Sequence, residues 1–340
     1  MAVAVATPER ELEAVRQRGF GVAYRMLGSV AEAEDIAQES MLRLARAEEE
    51  IEEPLAWITT VATRLSISVL RLARRRRENY VGPWLPEPLI DDEAPDPSAH
   101  AEVAESLSQA FLVVLERLSP VERAAFLLRE VFDYDYPQIA AIIDRSEVNT
   151  RQLVVRAKKH LDANRPRFDA DVELRDRLLA RFIAAAEAGD LKELESLLAE
   201  DAALYADGGG KVTAARKPIL GRARLARVFA KLERKSRPLG PFSDQHVHIG
   251  GQPAHVRCWP DGAILYVRSI DVVDGLIQTI RVVLNPEKLD HVRVDVPSSS
   301  VCHRRRPSCS RFRPQPESLL EAQARSRKRI DQAEPTSPRP

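Results

Sequence analysis

The sequence predicts a multidomain chain: two small all-α units, the second ending in a helix-turn-helix, then an α+β unit with a curved sheet, then a disordered tail. Three observations carry this. Apolar residues recur at helical spacing from Glu11 to Asn79 and again from Ala99 to Leu161, with cap residues at the breaks. Five prolines between Gly82 and Ser98 separate the two helical stretches. Proline fixes φ and removes a donor, so no helix runs through them. Beyond Arg165-Pro166 the texture shifts to helices and then to alternating β-branched runs, with turns at Pro260-Asp261-Gly262 and Asp274-Gly275.

The first unit is predicted over residues 8–79. Phe20, Val22, Ala23, Met26 and Leu27 make one apolar helix face, broken at Gly28-Ser29. Ser29 with Glu32 has capping-box spacing. It opens a helix from Ala31 to Ala47 with Ile36, Met41, Leu42 and Leu44 inward and Glu32, Glu34, Asp35 and Glu39 outward. Pro54 starts a third helix at its first turn, where the missing N–H is harmless. Trp57, Ile58, Val61, Leu65, Val69, Leu70 and Leu72 continue it into the cations Arg71 and Arg74 to Arg77.

Residues 80–104 form a proline-rich, acidic linker. Its Tyr80, Trp84, Leu85, Leu89 and Ile90 are more apolar than a free spacer needs, so the linker is expected to dock. The second helical unit, 105–165, contains an N-cap at Ser119-Pro120-Val121-Glu122, helices from Val121 to Phe132 and Pro137 to Ile143, and a turn at Asp144-Arg145-Ser146. A basic helix from Glu147 to Leu161, capped by Ser146, completes a helix-turn-helix outline.

The third unit is predicted over 170–291, with helices Val172 to Ala188, Leu191 to Leu198 and Gly221 to Arg234. A hairpin is expected between Leu204–Ala206 and Val212–Ala214, and strands at Gln245–Ile249, Ala254–Trp259, Ala263–Asp271 and Leu276–Leu284. Helices followed by a strand meander give an α+β fold. Residues 292–340 carry 11 Lys/Arg against 5 Asp/Glu in a Ser/Pro/Arg-rich composition. They are expected to be disordered, with at most a short helix from Leu319 to Ile330.

Bulk composition excludes several classes. Lys plus Arg and Asp plus Glu are both 51, so net charge says nothing about partners and only its distribution informs. Three irregularly spaced cysteines, Cys258, Cys302 and Cys309, cannot build a disulfide framework or a zinc site. The start MAVAVATPERELEAV has no signal-peptide pattern, and no run of membrane-spanning length is apparent. A cytoplasmic protein without membrane contact is expected.

Two separate basic helical faces, ending at Arg77 and at His160, suggest a protein that holds DNA at two places. In a helix-turn-helix the N-terminal half of the second helix enters the major groove. That half contains Ser146, Asn149, Thr150, Arg151 and Gln152. Arg151 suits guanine and Gln152 adenine, while Arg156, Lys158 and Lys159 suit phosphates, which position without specifying. Asp35, Gln38 and Glu39 share one helix face, which alone reads as an ordinary solvated surface. Asp207-Gly208-Gly209-Gly210-Lys211 lacks the spacing of a phosphate-binding loop and reads first as a tight turn. His246, His248, Asp244 and Tyr266 are the candidates for a catalytic cluster, although paired histidines on a strand are more often structural.

Several motifs in order resemble a known family. Tyr24-Arg25-Met26-Leu27-Gly28-Ser29, Ala33-Glu34-Asp35-Ile36-Ala37-Gln38-Glu39 and the helix from Trp57 to Arg77 resemble domain two of extracytoplasmic-function sigma factors. Leu118-Ser119-Pro120-Val121-Glu122-Arg123, Ile139-Ala140-Ala141-Ile142 and Arg151 to Lys159 resemble sigma domain four. The linker from Tyr80 to Leu89, Asp207 to Lys211, and Asn285-Pro286-Glu287-Lys288-Leu289 resemble the SigJ-like subgroup, which carries a SnoaL-like (NTF2-like) cone-shaped extension.

The resemblance implies an alternative sigma factor, not an enzyme, with core RNA polymerase and promoter DNA as partners and no cofactor or metal. It implies polymerase binding through Asp35, Gln38 and Glu39, and minus-ten DNA binding through Arg64, Arg71, Arg74, Arg75, Arg76 and Arg77. It assigns minus-thirty-five binding to Ser146, Asn149, Thr150, Arg151, Gln152, Arg156, Lys158 and Lys159. It implies a regulatory contact through Trp84, Pro86, Asp207, Gly208, Gly209, Lys211, Asn285, Pro286, Lys288 and Leu289. Whether the cone takes a small-molecule ligand stays open. Two other readings do too: a ligand-sensing DNA binder that works without polymerase, and an enzyme tethered to a DNA-binding module. The tail departs from the subgroup pattern, and Val148-Asn149-Thr150 blocks transfer of promoter preference.

Overall fold

Helix α1 (Pro8–Leu27) meets α2 (Val30–Ala45) at a turn that needs Gly28, whose φ is +65°. A side chain there would suffer both the left-handed backbone and a collision 2.9 Å from the Trp84 ring. With α3 (Pro54–Arg77), these helices bury Val22, Met26, Leu27, Ile36 and Ala62. The computed structural model describes residues 8–77, 79–91, 107–162, 172–259 and 261–294. The start of the expected helical stretch, residues 99–106, and residues 295–340 with the expected short helix lie outside the described residues. The expected start of the tail is corrected: Val292 is 4% exposed and its N–H donates to Leu289 O at 3.0 Å, so the third unit's core takes in residues past 291.

One inward assignment is corrected: Leu42 is 43% exposed; Leu72, at the end of the apolar spacing on α3, is 61% exposed. Leu42 follows Asp35 by seven positions, two turns along the same outer stripe, so the helical period itself carries it outward. Another correction concerns length and apolarity. Pro54–Leu72 in α3 is long and apolar enough to cross a membrane by composition. Here it is a core helix, with Ile58, Ala62, Ile67 and Leu70 buried in the helical unit.

The next helices are α4 (Gln109–Leu115), α5 (Pro120–Glu130), α6 (Tyr136–Ile143) and α7 (Glu147–Asp162). Ser119 with Glu122 and Asp135 with Gln138 form reciprocal capping boxes for α5 and α6. Between α6 and α7, Asp144 takes φ +55° and bonds back to Ala140 O, and Ser146 Oγ accepts from Asn149 N at 3.3 Å. This is the turn that the sequence predicts. The two helical units share one core, in which Val22, Met26 and Leu27 lie with Leu115, Phe126, Leu127 and Ile139. Arg123, 3% exposed, fastens them by donating to Met26 O at 2.6 Å and Glu116 Oε1 at 2.8 Å.

The third unit is two helices, α8 (Val172–Ala188) and α9 (Leu191–Leu197), then β1 (Leu198–Asp207), β2 (Ile219–Leu220) and α10 (Arg222–Ser236). Strands β3 (Ser243–Ile249), β4 (Gln252–Cys258), β5 (Ile264–Val273) and β6 (Leu276–Val283) follow. Sheet order is β2-β1-β6-β5-β4-β3, with β3 to β6 an antiparallel meander and β1 parallel to β6. The predicted hairpin onto Val212–Ala214 does not form. β1 instead pairs with β6, Leu204 opposite Ile280, and with β2. Its Ala202, Leu204 and Ala206 are buried, whereas Lys211 and Val212 are exposed, so burial selects the interior pairing.

The sheet has two covered faces. On one, Tyr266, Ile270, Ile280 and Val282 pack with Leu179, Phe182, Leu225 and Phe229 from α8 and α10. On the other, Ala254, Val256, Cys258, Val267 and Val283 pack with Leu85 of the linker and with Leu289 and Val292.

Candidate functional site

The linker is a built part of the structure. Leu85 is 2% exposed, and burying such a side chain contributes roughly 1.5–3 kcal/mol. Asp207, at the end of β1, is fully buried and its carboxylate collects four donors. Oδ1 accepts from Tyr80 Oη at 2.6 Å and Gly209 N at 3.0 Å; Oδ2 accepts from Leu85 N at 2.8 Å and Lys288 Nζ at 2.8 Å. Those contacts use every lone-pair direction a carboxylate offers. Burial, then the bond to Asp207, pushes the Tyr80 phenol well above its ordinary pKa, so it stays a donor.

Lys288 also donates to Leu85 O, and its ammonium lies 4.2 Å from the Trp84 ring centre. Asn285 Nδ2 donates to Tyr80 Oη at 3.1 Å. At Gly209, with φ +57°, an added Cβ would lie 2.3 Å from Asn285 Nδ2, so this close approach requires glycine. The structure therefore brings Trp84, Asp207, Gly209, Asn285 and Lys288 together, with Leu289 in the core beneath Leu85. Gly208 and Pro286 shape the flanking turns by accepting from Lys211 N and Leu289 N. Lys211 sits apart at the rim, exposed, paired with Glu287 at 2.7 Å.

Two further anchors were not legible as such in the sequence. Glu87 reaches the N-terminus of α2: Val30 N donates to Oε2 at 2.6 Å and Ser29 Oγ to Oε1 at 2.9 Å. Tyr24 Oη donates to Glu87 O at 2.6 Å, and Glu87 N to Gly28 O at 2.8 Å. A carboxylate 57 residues away thus caps the helix alongside the predicted Ser29, whose Oγ accepts from Glu32 N at 3.3 Å. Asp91 takes Gly250 N at 2.9 Å and Gly251 N at 2.8 Å, and its own N–H donates to His248 O. Pro86 O accepts from Gln109 Nε2, whose Oε1 accepts from Ser269 Oγ. The linker is held by all three units at once.

Asp35, Gln38 and Glu39 are exposed along one side of α2, with Leu42 continuing the stripe, and Glu39 pairs with Arg43 at 2.7 Å. On α3, Arg71 is exposed. Arg64 is differently placed than expected: Nε donates to Ile142 O and Nη2 to Ala141 O, each at 2.9 Å. It holds the carbonyl end of α6, where a cation is favoured, and so is occupied within the protein. Ser66 is buried, bonded to Ala62 O. The side chains of Arg74, Arg75, Arg76 and Arg77 lie outside the described residues.

On α7, Arg151, Gln152, Arg156, Lys158 and Lys159 are exposed, with Ser146 and half-buried Asn149 at its start. Thr150 is corrected: it is fully buried and its hydroxyl donates to Ser146 O at 3.0 Å. It holds the turn and presents nothing to a groove. Arg151 pairs with Glu147 at 2.6 Å and lies 4.2 Å over Tyr136, while Lys158 pairs with Glu130 at 2.8 Å.

The cone's candidate catalytic residues are mutually engaged. Arg257 donates to Asp244 Oδ1 at 2.6 Å and Oδ2 at 2.9 Å, to Glu233 at 2.6 Å and to Glu187 at 2.8 Å. His255, missed in the sequence, lies 2.9 Å from Asp244 Oδ1. Burial raises the Asp244 pKa, but the bonds from His255 and Arg257 outweigh it and hold the carboxyl below the usual range. Burial pulls His255 down and pushes Tyr266 up. General bases work best near the ambient pH, and neither Asp244 nor Tyr266 is tuned there. His248 faces Asp176 at 3.5 Å, and His246 stands 6.0 Å from the His255 ring, so the strand histidines do not converge on Asp244. A cavity of about 360 Å³ beside Arg257 is lined by Glu187, Glu233, Arg237, Phe242 and Asp244. Among the described residues, no three His, Cys, Asp or Glu side chains could hold a metal ion.

Comparison with known proteins agrees with this architecture. Residues 12–77 match the sigma-70 region 2 family and residues 108–161 match sigma-70 region 4. The chain is 36% identical over 287 residues to the ECF RNA polymerase sigma factor SigJ of Mycobacterium tuberculosis, covering 82% of this chain and 92% of that protein. It is 32% identical to a probable ECF RNA polymerase sigma factor SigI of the same species, covering 81% and 92%. The crystal structure of the M. tuberculosis SigJ superimposes with a TM-score of 0.66 at 32% identity, over 82% of this chain and 97% of that one.

Proposed function

The chain belongs to the extracytoplasmic-function RNA polymerase sigma factors, and from that premise we propose that its third unit regulates initiation in cis by clamping the linker. It is an alternative sigma factor. In this reading α2 docks on core polymerase through Asp35, Gln38 and Glu39, with Leu42 beside them. α3 and its arginines meet the minus-ten element, and α7 meets the minus-thirty-five element through Arg151, Gln152, Arg156, Lys158 and Lys159. The domains are then 8–79, 105–165 and a third unit from 170 that extends past 291 to include Val292, joined by the linker 80–104 and followed by a tail to 340.

The observation that carries the regulatory part is the double fastening of one short segment. Asp207 and Lys288 grip Tyr80 and Leu85, while Glu87 caps α2. In the same arrangement the helix-turn-helix occupies Arg64. A base-contacting arginine cannot keep both partners, so the docked linker favours a closed form whose minus-ten surface is partly engaged. An enzymatic role finds no support in the saturated Asp244–Arg257 cluster.

Promoter-dependent transcription with purified core polymerase tests this. Asp207→Asn combined with Lys288→Met keeps the buried site neutral and removes the charged grip. Output from a matched promoter should rise relative to the unaltered chain. Equal or lower output would overturn the inhibitory reading. Asp35→Ala with Glu39→Ala should instead abolish copurification with core polymerase.

A further inference from the structure

Helix α10 carries a charge pattern that the two sigma regions do not explain. From Arg216 to Arg237 there are nine Lys/Arg and a single acid, Glu233, in a chain whose overall charge is zero. Glu233 is 8% exposed and committed to Arg257, so it neutralises nothing on the outside. Leu225, Ala226, Phe229 and Glu233 face inward. At 100° per residue, Arg224, Arg227, Lys231, Arg234 and Lys235 then share the opposite stripe, and all five are exposed. Among the described residues none of the five pairs with a carboxylate.

The contrast with α7 is informative. There Arg151 and Lys158 are each held by a glutamate. A solvated face normally mixes signs, and five like charges at three- and four-residue spacing repel one another and disfavour the helix. A surface that keeps such a stripe fits a polyanion. From Arg224 to Lys235 the helix rises about 16 Å, and one DNA strand presents a phosphate about every 3.4 Å. The two charge densities match over roughly five phosphates.

We propose that the outer stripe of α10 is a third DNA-backbone contact, made by the fused unit and independent of base sequence. The inference rests on the reading of the chain as a promoter-binding sigma factor. It adds that the C-terminal unit is a DNA-holding element as well as a regulator. Cationic side chains on a rigid helix displace condensed counterions and lend affinity without specificity.

The test is the salt dependence of binding, measured by fluorescence anisotropy with the full chain on core polymerase, on promoter and on scrambled duplexes. Arg224→Gln, Arg227→Gln and Lys231→Gln together should flatten the slope of log K against log salt by about 2.7, at about 0.9 per phosphate. The loss should be equal on both duplexes. Lys192→Gln, an exposed cation on α9, should leave the slope as it is. Lys159→Gln reports on α7 and should lower the slope by about one unit. If Lys159→Gln acts and the α10 triple variant does not, the stripe is a solvated face and the sigma-factor reading stands. If neither acts, the DNA reading itself has failed. Weaker assembly with core polymerase at an unchanged slope would also overturn the proposal, by showing that the stripe meets an acidic protein surface.

Discussion

Both faces of the third unit's sheet are covered, but by material of different origin. One is covered by α8 and α10, helices of the same unit, and is knitted by Arg257 to Asp244, Glu233 and Glu187. The other is covered by a segment 122 residues upstream of Asp207. Removing the first cover means unfolding the unit. Removing the second means breaking a few anchors, chiefly Asp207, Leu85 and Asp91, while the linker keeps its hold on α2 through Glu87. The linker face is therefore the one that can be exchanged as a regulatory event, although the two look equally buried.

The sharpest way to break that comparison is to remove one buried charge from each face. Asp207→Ala strands Lys288, 6% exposed, without its carboxylate, and such a loss costs about 3–5 kcal/mol. Arg257→Ala, which strands Glu233 and Asp244, should cost about as much. Urea unfolding would give similar losses, but limited proteolysis should separate them. Cleavage between residues 80 and 106 should accelerate in Asp207→Ala and remain at its original rate in Arg257→Ala until the whole unit unfolds. Equal cleavage in both variants would mean that the two faces open together.

A smaller effect sharpens the same point without disturbing charge. Leu85→Ala removes the apolar anchor from among Val256, Val267, Val283 and Leu289 and should cost about 2–5 kcal/mol, depending on how far the site collapses. Because the lost atoms belong to the linker, opening of the linker should take up the loss, with the helix-covered face still protected. Hydrogen exchange of β1 and β6 amides near Asp207, against those of α8, would show it.

How much of this was readable in advance follows the range of the forces involved. The helices were legible because caps and periodicity are local: Ser119 with Glu122, Pro54 at a first turn, Asp144 to Ser146 between α6 and α7. The meander β3 to β6 was legible from alternation and from Asp274-Gly275. The pairing of β1 with β6 was not, since a parallel partner some 75 residues away leaves no local signature. Among the expected contact residues, Asp207, Asn285, Lys288 and Trp84 came from a resemblance; composition alone left Asp207 in a tight turn. Glu87 and Asp91 looked like ordinary linker acids, because the donors they satisfy belong to Val30, Gly250 and Gly251. Thr150 was misplaced because a hydroxyl early in a recognition helix suggests DNA, whereas packing had already assigned it to Ser146 O. Arg64 came from the resemblance, and its hold on Ile142 O and Ala141 O, 78 and 77 residues away, leaves no local signal. The α10 stripe was visible as five cations at helical spacing, yet the sequence reading saw only a helix there.

Glu87 offers a subtler test, at the linker's other end. Glu87→Gln keeps the shape and an acceptor for Val30 N but loses the charge at the N-terminus of α2. The cost should be about 0.5–2 kcal/mol, read from urea unfolding. Its location matters more than its size: α2 carries Asp35, Gln38 and Glu39, so loosening the cap should weaken core-polymerase binding slightly. In contrast, Leu85→Ala should release the linker from the third unit and leave α2 intact.

The smallest expected effect concerns pH, and it belongs to the helix-covered face. His255 is buried, and burial lowers its folded pKa below the ordinary value of 6.5. The unfolded chain thus binds this proton first as pH falls, and stability declines below about pH 6.5. Asp244 is depressed in the folded state, so its contribution is complete above its unfolded pKa, about 3.9, and disappears as pH drops through the lower folded value. The two arms have the same sign and separate windows: acidification removes the histidine share first and the aspartate share last. His255→Gln should flatten the decline between about pH 6.5 and 5 and leave the acid limb in place. If the profile of His255→Gln overlays that of the unaltered chain, the imidazole is not held neutral by burial, and the helix-covered face is wetter than its packing indicates.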